Sequence, residues 1–531
     1  MMNVLQSSLF VRLVQTVCIW ICGVFRGSRI LGTLGRWIRS SGIFRFFVRL
    51  LGREDAAVQD CRSSRALGRL NGWLGKRQKL ADCLQESLLW RICSAVGNCG
   101  KNSKLFGWVF SGGMTGLVLF AVGLYAFIDY VLRDVLAVPV LSSGWDELLL
   151  VFAAFWVLVE RLGKEDAACR SSNPLDVFVL LFLVVGFCLM CFNDPFPAIQ
   201  FAGYRATVQY MLWFFLVTRL LRNDRDFRIL YLTLVGFATL IALHGIYQYI
   251  VGVPMPSTWV AAAETAVRTR VYSIFGSPNI MGDFMVMFVP MAAALAYYTE
   301  DKRLQILAWS CTVLMCFACL FTMSRGAWAA LAVAVLIFVL FVDRRLFLLL
   351  FAGGILLLFI PFVRTRIGFL FTDDFVAANT NGGRGGRLIN AMKLLRDYSP
   401  TFGVGLGMFG GAIAMQNQVL DGIDYFYVDN YYLKILVEMG YFGLSFFVLT
   451  LAGLLGTLAR SVYRTHLRSA QDKTYPLAVG MSAGLCGVLV HCSAENIFEE
   501  PYMMVYFWAI AAMVVWLGFV RKKEASSQCR N

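Results

Sequence analysis

A long polar stretch and an apolar helical pattern meet at the segment Asp429-Asn430-Tyr-Tyr-Leu-Lys-Ile-Leu-Val-Glu-Met-Gly440-Tyr-Phe-Gly443. A polar stretch of about 65 residues, 364–430, precedes it, and an apolar helical pattern follows it. Structureless connections longer than about 12–15 residues are uncommon in compact proteins and are usually functional. We therefore expect the polar stretch to carry a reaction centre rather than to act as a connector.

The composition of the whole chain predicts a polytopic membrane protein. Of 531 residues, 59% are apolar and 15% are charged, which is unlike a soluble globular protein. A helix needs about 20 apolar residues to cross a bilayer, and such runs recur from residue 106 to residue 520. Twelve of them can be counted, centred near residues 120, 154, 183, 213, 240, 289, 313, 334, 354, 449, 485 and 511.

The distribution of Lys and Arg predicts the orientation of these helices, because short cytoplasmic loops are enriched in both residues. The basic connections are 161–170, 219–228, 302–303, 344–345, 460–473 and 521–523, which we assign to the cytoplasm. Both termini are then cytoplasmic. The connections assigned to the outside are 141–146, 193–205, 252–278, the turn at Ser324, 364–430 and 496–501.

The net charge of +15 is concentrated in residues 1–104, where 17 Lys or Arg face 5 acidic residues. In the run Arg36-Trp-Ile-Arg-Ser-Ser-Gly-Ile-Phe-Arg-Phe-Phe-Val-Arg49, basic and aromatic residues would lie on opposite faces of short helices. Such helices bind anionic lipid. The high apolar content argues against a nucleic-acid-binding arm, so we expect anionic lipid and no nucleic acid as partner of this region.

The predicted outer connections are rich in arginine, against the usual depletion of positive charge there. The guanidinium group matches phosphate oxygens and stays charged when partly buried. Snorkelling to lipid head groups would account for Arg364, Arg366 and Arg396. It suits Arg325 less well, because this residue stands in a turn between two apolar helices, where a charge usually marks a site or pathway.

Four motifs in this order resemble the O-antigen ligase and polymerase superfamily of bacterial envelope glycosyltransferases. They span about residues 268–443 and all lie on the predicted outer side. The motifs are Arg270-Val-Tyr-Ser-Ile-Phe-Gly-Ser-Pro-Asn279, Ser324-Arg325-Gly326, Gly386-Arg387-Leu388 with Pro400 and Gly403-Val-Gly-Leu-Gly-Met-Phe409, and Asp429-Asn430 with Gly440 and Gly443.

One position departs from the pattern of the ligases that attach O-antigen to lipid A core. These ligases typically carry His where this chain has Asp429, and no His lies anywhere in residues 364–430. By resemblance, members with Asp-Asn at this place are more often polymerases, or ligases that build capsule, teichoic or other wall glycans. Asp at this position argues against a lipopolysaccharide ligase more strongly than it argues against the reaction class that the resemblance implies.

The resemblance implies transfer of a glycan from a polyprenyl diphosphate donor to a hydroxyl on a glycan, lipid or wall-polymer acceptor. Arginines aimed at the leaving diphosphate would stabilise its developing charge. Arg325 and Arg387 are expected in this role, with Arg270 and Arg384 next, and Asp429 is expected to take the acceptor proton. Further expected substrate-binding residues are Asn430, Arg205 and Glu495. No cofactor and no metal are expected.

Several of these residues have plainer alternatives. Asp429 could instead cap the following helix, and Asn430 could cap it or bind sugar hydroxyls. Glu495, Glu499 and Glu500 could form a solvated turn at a helix end, or they could contact sugar or acceptor. An oxygen-ligand metal site would draw on Asp373, Asp374, Asp421 and Asp424, although their spacing fits no known metal-binding loop.

The sequence thus predicts an all-α polytopic protein with about 12 transmembrane helices and one large external loop between helices 9 and 10. Its expected regions are a basic amphipathic cytoplasmic or interfacial part (1–104), helices 1–9 (105–362), the loop (363–430), helices 10–12 (431–520) and a cytoplasmic tail (521–531). The expected location is the plasma (inner) membrane of a bacterium. A secondary transporter or flippase of lipid-linked glycan or another anionic substrate is the alternative, although no matching halves are visible.

Overall fold

A computed structural model describes residues 76–103, 106–137, 139–162, 173–192, 196–256, 259, 268–373, 376, 383–420, 426–470 and 472–521. Within these residues the regular structure is entirely helical, which confirms the all-α class. The basic and aromatic run 36–49 lies outside the described residues. The lipid-binding role expected of residues 1–104 therefore stays a prediction.

The described helices are numbered here in chain order. They are α1 Gln78–Glu86, α2 Leu88–Cys99, α3 Gly107–Phe110, α4 Gly113–Gly123, α5 Tyr125–Tyr130, α6 Pro139–Arg161, α7 Pro174–Phe192, α8 Pro197–Val208, α9 Leu212–Leu220, α10 Asp224–Val251, α11 Pro278–Tyr298, α12 Lys302–Phe321, α13 Arg325–Phe341, α14 Leu346–Leu358, α15 Pro361–Gly368, α16 Arg384–Asp397, α17 Ala412–Asn417, α18 Tyr431–Leu467, α19 Tyr475–His491 and α20 Pro501–Val515. Short 3-10 helices are present at Gln209–Met211, Phe369–Phe371 and Ile497–Glu499, and π-helical turns at Val131–Val135 and Trp516–Val520.

Within the described residues, fewer helices qualify as membrane spans than the twelve predicted from the sequence. In the described part of the chain, six helices are long and apolar enough to cross a membrane, and two bent pairs raise the number to at most eight. The pairs bend by 69° between α4 and the Tyr125–Val135 segment, and by 86° between α14 and the Pro361–Phe371 segment. These lengths indicate a multi-pass membrane protein but do not confirm twelve spans.

Helices α11 and α20 form the centre of the bundle, since 89% of the apolar window of each is buried. Helix α11 packs against α10, α12, α13 and α19, while α20 packs against α9, α18 and α19. The contact between α11 and α19 is close because Gly480 and Gly484 face backbone carbonyls of α11. A Cβ at these positions would lie 2.5 Å from the Pro290 oxygen and 2.3 Å from the Met287 oxygen. Small residues four apart permit this approach between membrane helices.

At one end of the bundle, ion pairs link segments that connect different helices. Arg222 pairs with Glu160 at 2.7 Å, and Arg521 pairs with Asp224 at 2.6 Å. All four residues lie in or beside segments for which the sequence predicts the cytoplasmic side. The contacts bring these segments together, and the side of the membrane that they face stays a prediction.

Helix α18 is interrupted at Gly440, which adopts φ 65° and ψ −174°. An intact helix would bond the amides of Tyr441 and Phe442 to the carbonyls of Val437 and Glu438. Here those amides donate to the carbonyls of residues 400 and 401, at 2.9 and 3.0 Å. The carbonyls of Val437 and Glu438 instead accept from the amides of residues 404 and 405, at 2.9 and 3.0 Å.

The glycine-rich segment 400–405 therefore replaces two hydrogen bonds lost from α18 with four new ones. Segment 400–405 lies so close to α18 that position 440 has no room for a side chain: a Cβ on Gly440 would lie 2.3 Å from the Thr401 oxygen. A Cβ on Gly403 would lie 2.5 Å from the carbonyl of Glu438. The glycines at 403, 405 and 407 thus form a turn with positive φ that packs on the break.

We expect Gly440→Ala to lower the thermal stability of the protein and Gly456→Ala to leave it unchanged or slightly higher. Alanine in the left-handed region costs about 1–3 kcal/mol, and its methyl group would also meet the Thr401 carbonyl. Gly456 lies in the same helix, but a Cβ there meets open space. Melting temperatures of the two purified variants in detergent test this, and equal values would contradict the account of the break.

Candidate active site at the start of the broken helix

Asn430, and not Asp429, caps helix α18. The Asn430 side chain accepts a hydrogen bond from the amide of Leu433 at 3.1 Å. The next amide, of Tyr431, donates to the carbonyl of Cys492 at 2.9 Å and so fixes the start of α18 to the end of α19. The alternative in which Asp429 is the cap is therefore wrong, and this carboxylate is available for other partners.

Two arginines from the first turn of α16 meet on the Asp429 carboxylate. Arg387 Nη1 lies 3.0 Å from Asp429 Oδ2, and Arg384 Nε lies 3.4 Å from the same oxygen. Because the arginines are three residues apart, they project from the same face of α16. Arg387 also donates to the carbonyl of Tyr427 at 3.3 Å, and Arg384 donates to that of Ala494 at 3.0 Å.

A second set of contacts brings Glu495 beside Asp429. Arg270 Nη2 donates to Asn279 Oδ1 at 3.0 Å, and Asn279 Nδ2 donates to Glu495 Oε2. The charge of Asp429 acts on Glu495, whose pKa is raised by burial first and by that charge second. Asn279 stands in the first of the four family motifs but was not predicted as a site residue.

Arg270 is buried and takes part in the protein's own hydrogen bonds. Besides Asn279, it donates to the carbonyls of Thr322 and Trp259, each at 2.9 Å. It therefore joins the start of α11 to the turn before α13. This geometry suits a residue that positions Asn279 better than one that contacts substrate.

Arg325 lies at the start of α13 against the α15 segment. It donates to the carbonyl of Arg366 at 3.3 Å, and its guanidinium lies 5.4 Å from the ring centre of Phe369. The following residue, Gly326, packs against His491, with 2.6 Å between an added Cβ and the ring Nε2. The backbone beside Arg325 thus borders the turn that Arg384 also contacts.

Two other arginines form contacts within the protein. Arg366 is buried, and its Nε and Nη2 donate to the carbonyl of Met323 at 3.0 and 2.8 Å, so snorkelling to lipid is wrong for this residue. It holds the turn in which Met323 has a φ of 55°. Arg205, expected to bind substrate, forms its ion pair with Glu147 of α6 rather than with Asp429.

A buried cluster below the 403–412 segment was not predicted from the sequence. Lys434 of α18 forms an ion pair with Glu499, and their side chains are only 5% and 8% exposed. Glu499 Oε1 accepts from the amide of Ala412 at 2.8 Å. Glu438, one turn after Lys434, accepts from the amides of Gly407 and Phe409 at 3.1 and 3.3 Å.

This buried cluster corrects the interpretation of the 495–500 turn as solvated. Burial acts to raise the pKa of Glu499, but Lys434 and the hydrogen bonds outweigh it and hold the pKa below its ordinary value. Burial, together with the nearby charge of Glu499, raises the pKa of Glu500 to about 7. The spacing of Lys434 and Glu438, four residues apart in an apolar helix, is the sequence signal that could have revealed the cluster.

The described residues contain no group of three or more His, Cys, Asp or Glu side chains placed to hold a metal ion. Of the four aspartates weighed for such a site, only Asp373 is described, and residues 374, 421 and 424 lie outside the described part of the chain.

Comparison with known families gives a match in the second half of the chain. Residues 310–448 match the family model described as O-Antigen ligase. No curated protein matches the chain. The matched stretch contains Arg325, Arg384, Arg387 and Asp429, whereas Arg205, Arg270 and Glu495 lie outside it. The predicted resemblance to the O-antigen ligase and polymerase superfamily is confirmed by this match.

We expect Lys434→Ala to destabilise the protein strongly, by about 3–5 kcal/mol, because it leaves two carboxylates buried without their cation. The double variant Lys434→Met with Glu499→Gln should recover part of the loss, since it removes both partners. Lys473, which pairs with Glu300 at an exposed position, provides a control: Lys473→Ala should leave the melting temperature unchanged. Equal melting temperatures for the two single variants would contradict the structural role of the cluster.

Proposed function

We propose that this chain, which carries an O-antigen ligase domain, is a membrane glycosyltransferase acting at the outer face of the bacterial plasma membrane. It would transfer or polymerise a glycan from a polyprenyl diphosphate donor onto a hydroxyl acceptor. The acceptor class is a glycan, a lipid or a wall polymer. The anionic lipid expected around residues 1–104 would hold the basic region at the cytoplasmic surface.

The observation that carries the proposal is the arrangement of Arg384 and Arg387 on Asp429. One oxygen of the Asp429 carboxylate faces two guanidinium groups, so each arginine keeps donor groups that Asp429 does not use. The two arginines are 58% and 37% exposed, which leaves donor groups accessible to a ligand. Paired guanidinium groups of this kind suit a diphosphate, whose oxygens accept several charge-assisted hydrogen bonds.

The chemistry would proceed by displacement at the anomeric carbon of the donor sugar. The acceptor oxygen forms the new bond to this carbon, and the bond from the carbon to the phosphate oxygen breaks. The leaving polyprenyl diphosphate keeps the electron pair, and Arg384 and Arg387 stabilise its negative charge. The hydroxyl proton passes to a carboxylate, for which Asp429 and Glu495 are the neighbouring candidates.

The remaining predicted residues take supporting roles in this proposal. Arg325 adds positive charge from the start of α13, near the same turn that Arg384 contacts. Arg270 positions Asn279, and Asn430 positions the start of α18. Substrate binding by Arg205 stays a prediction, with Glu147 as its partner in the free protein.

The break in α18 does not favour the transporter alternative. In transporters, interrupted helices expose backbone groups to substrate or coupling ions. Here, the backbone groups released at residues 437–442 are bonded to segment 400–405. The break therefore serves to dock the polar segment onto the membrane helix.

Glycan length and lipid attachment in the cell envelope test the proposal. The strains compared are wild type, a deletion, Arg387→Ala, Asp429→Asn and, as a matched control from the same helix, Arg396→Ala. Arg396 is exposed and lies near the other end of α16. The variants are expressed to equal membrane levels.

We expect the deletion to lose the mature glycan and Arg387→Ala to reduce activity by about 10²–10³-fold, because a charge-stabilising donor is lost. Asp429→Asn should also reduce the mature glycan, because Arg384 and Arg387 lose the carboxylate with which they pair. Single lipid-linked units in place of a ladder would identify a polymerase. Long lipid-linked chains that accumulate without transfer would identify a ligase. Arg396→Ala should match wild type, and unchanged glycans in the deletion and the two site variants would contradict the catalytic assignment.

A further inference from the structure

The two carboxylates at the site differ in the groups that hold them. Asp429 Oδ2 receives two cations, Arg387 at 3.0 Å and Arg384 at 3.4 Å. Glu495 is bonded instead by neutral amides: Asn279 Nδ2 on Oε2 and the amide of Asn496 on Oε1 at 3.4 Å. One carboxylate thus forms ion pairs with two arginines, and the other accepts hydrogen bonds from amides.

This difference decides which group is the better base. The Asp429 oxygen Oδ2 already bonds Arg384 and Arg387, a geometry that suits a residue positioning the two guanidinium groups. Protonation of Asp429 would also leave Arg384 and Arg387 facing a neutral group while they hold the leaving diphosphate. The Glu495 side chain instead accepts from two amides, so proton uptake by Glu495 leaves the two ion pairs of Asp429 in place.

We propose that Glu495 is the proton acceptor of the transfer reaction and that Asp429 positions Arg384 and Arg387. The proposal rests on the proposed function, and it differs from the sequence-based expectation, in which Asp429 takes the proton. As the acceptor oxygen bonds to the anomeric carbon, its proton moves to a Glu495 oxygen. The bond from the carbon to the phosphate breaks, and the diphosphate leaves with the electron pair.

The turn that carries Glu495 is fixed by three separate elements. The carbonyl of Cys492 accepts from Tyr431 at the start of α18, and that of Ala494 accepts from Arg384 of α16. Asn279, at the start of α11, holds the Glu495 side chain itself. A base needs such restraint, because proton transfer depends on position first and on pKa second.

The electrostatic surroundings of Glu495 agree with this role. Burial raises its pKa, and the charge of Asp429 raises it further. His491 at the end of α19, the Asn279 hydrogen bond and Arg384 oppose the shift without cancelling it. A carboxylate with a raised pKa accepts a proton more readily at neutral pH than an ordinary one.

Steady-state kinetics of the full-length protein in lipid vesicles test the assignment. The probe is the lipid-linked glycan extracted from cells that lack the protein, with transfer followed over a range of pH. The variants are Glu495→Gln, Glu495→Asp and Asp429→Asn, and Glu300→Gln provides a control at an exposed site paired with Lys473. Melting temperatures establish that each variant is folded.

We expect Glu495→Gln to lower kcat by about 10²–10⁴-fold, with KM changed only a few-fold, and Glu495→Asp to restore part of the rate. Asp429→Asn should raise KM for the donor and keep the acid limb of the kcat/KM profile. That limb should move to lower pH, because loss of the negative charge at Asp429 lowers the pKa of Glu495. Glu300→Gln should behave as wild type.

A wild-type kcat in Glu495→Gln, together with loss of turnover and of the acid limb in Asp429→Asn, would overturn the assignment and make Asp429 the base. The proposed transferase function would survive that result. Failure of the wild-type protein to form any new glycosidic bond would overturn both.

Discussion

The exchange of backbone hydrogen bonds at Gly440 is the interaction on which the rest of the site depends. In an apolar helix, an unpaired amide or carbonyl costs several kcal/mol, so α18 can break only where other groups replace its lost bonds. Segment 400–405 supplies these groups, and it can approach closely because Gly403 and Gly440 lack side chains. The polar segment and the membrane helix therefore form one unit.

The position of the arginines follows from this docking. Helix α16 ends at Asp397, three residues before the docked segment, and it packs along α18. Beyond the docked segment, the buried cluster of Lys434, Glu438 and Glu499 fixes residues 407–412. Segment 400–405 and residues 407–412 are thus both fixed to α18. Because α16 packs along the same helix, its first turn reaches Asp429 at the start of α18.

Sequence patterns predicted the helical class, and they assigned Arg384, Arg387 and Asp429 to one site on one predicted side of the membrane. Other features depend on contacts that no local pattern encodes. The pairing of Lys434 with Glu499 joins residues 65 positions apart. Asp429 and Asn430 are both good capping residues, so only the geometry of the first turn decides between them. Hydropathy also counted apolar runs that form helices shorter than 18 residues, such as α13 and α19, and such helices do not qualify as membrane spans by length.

Release of polyprenyl diphosphate during glycan transfer is the most direct test of the central claim, that the docked arginines support displacement at a diphosphate-linked sugar. Purified protein in vesicles would receive lipid-linked glycan on the outer leaflet, and mass spectrometry would count free polyprenyl diphosphate and new glycosidic bonds. The account predicts one diphosphate released for each bond formed, and neither product with Arg387→Ala. Movement of intact lipid-linked glycan across the bilayer, with no diphosphate released, would contradict it.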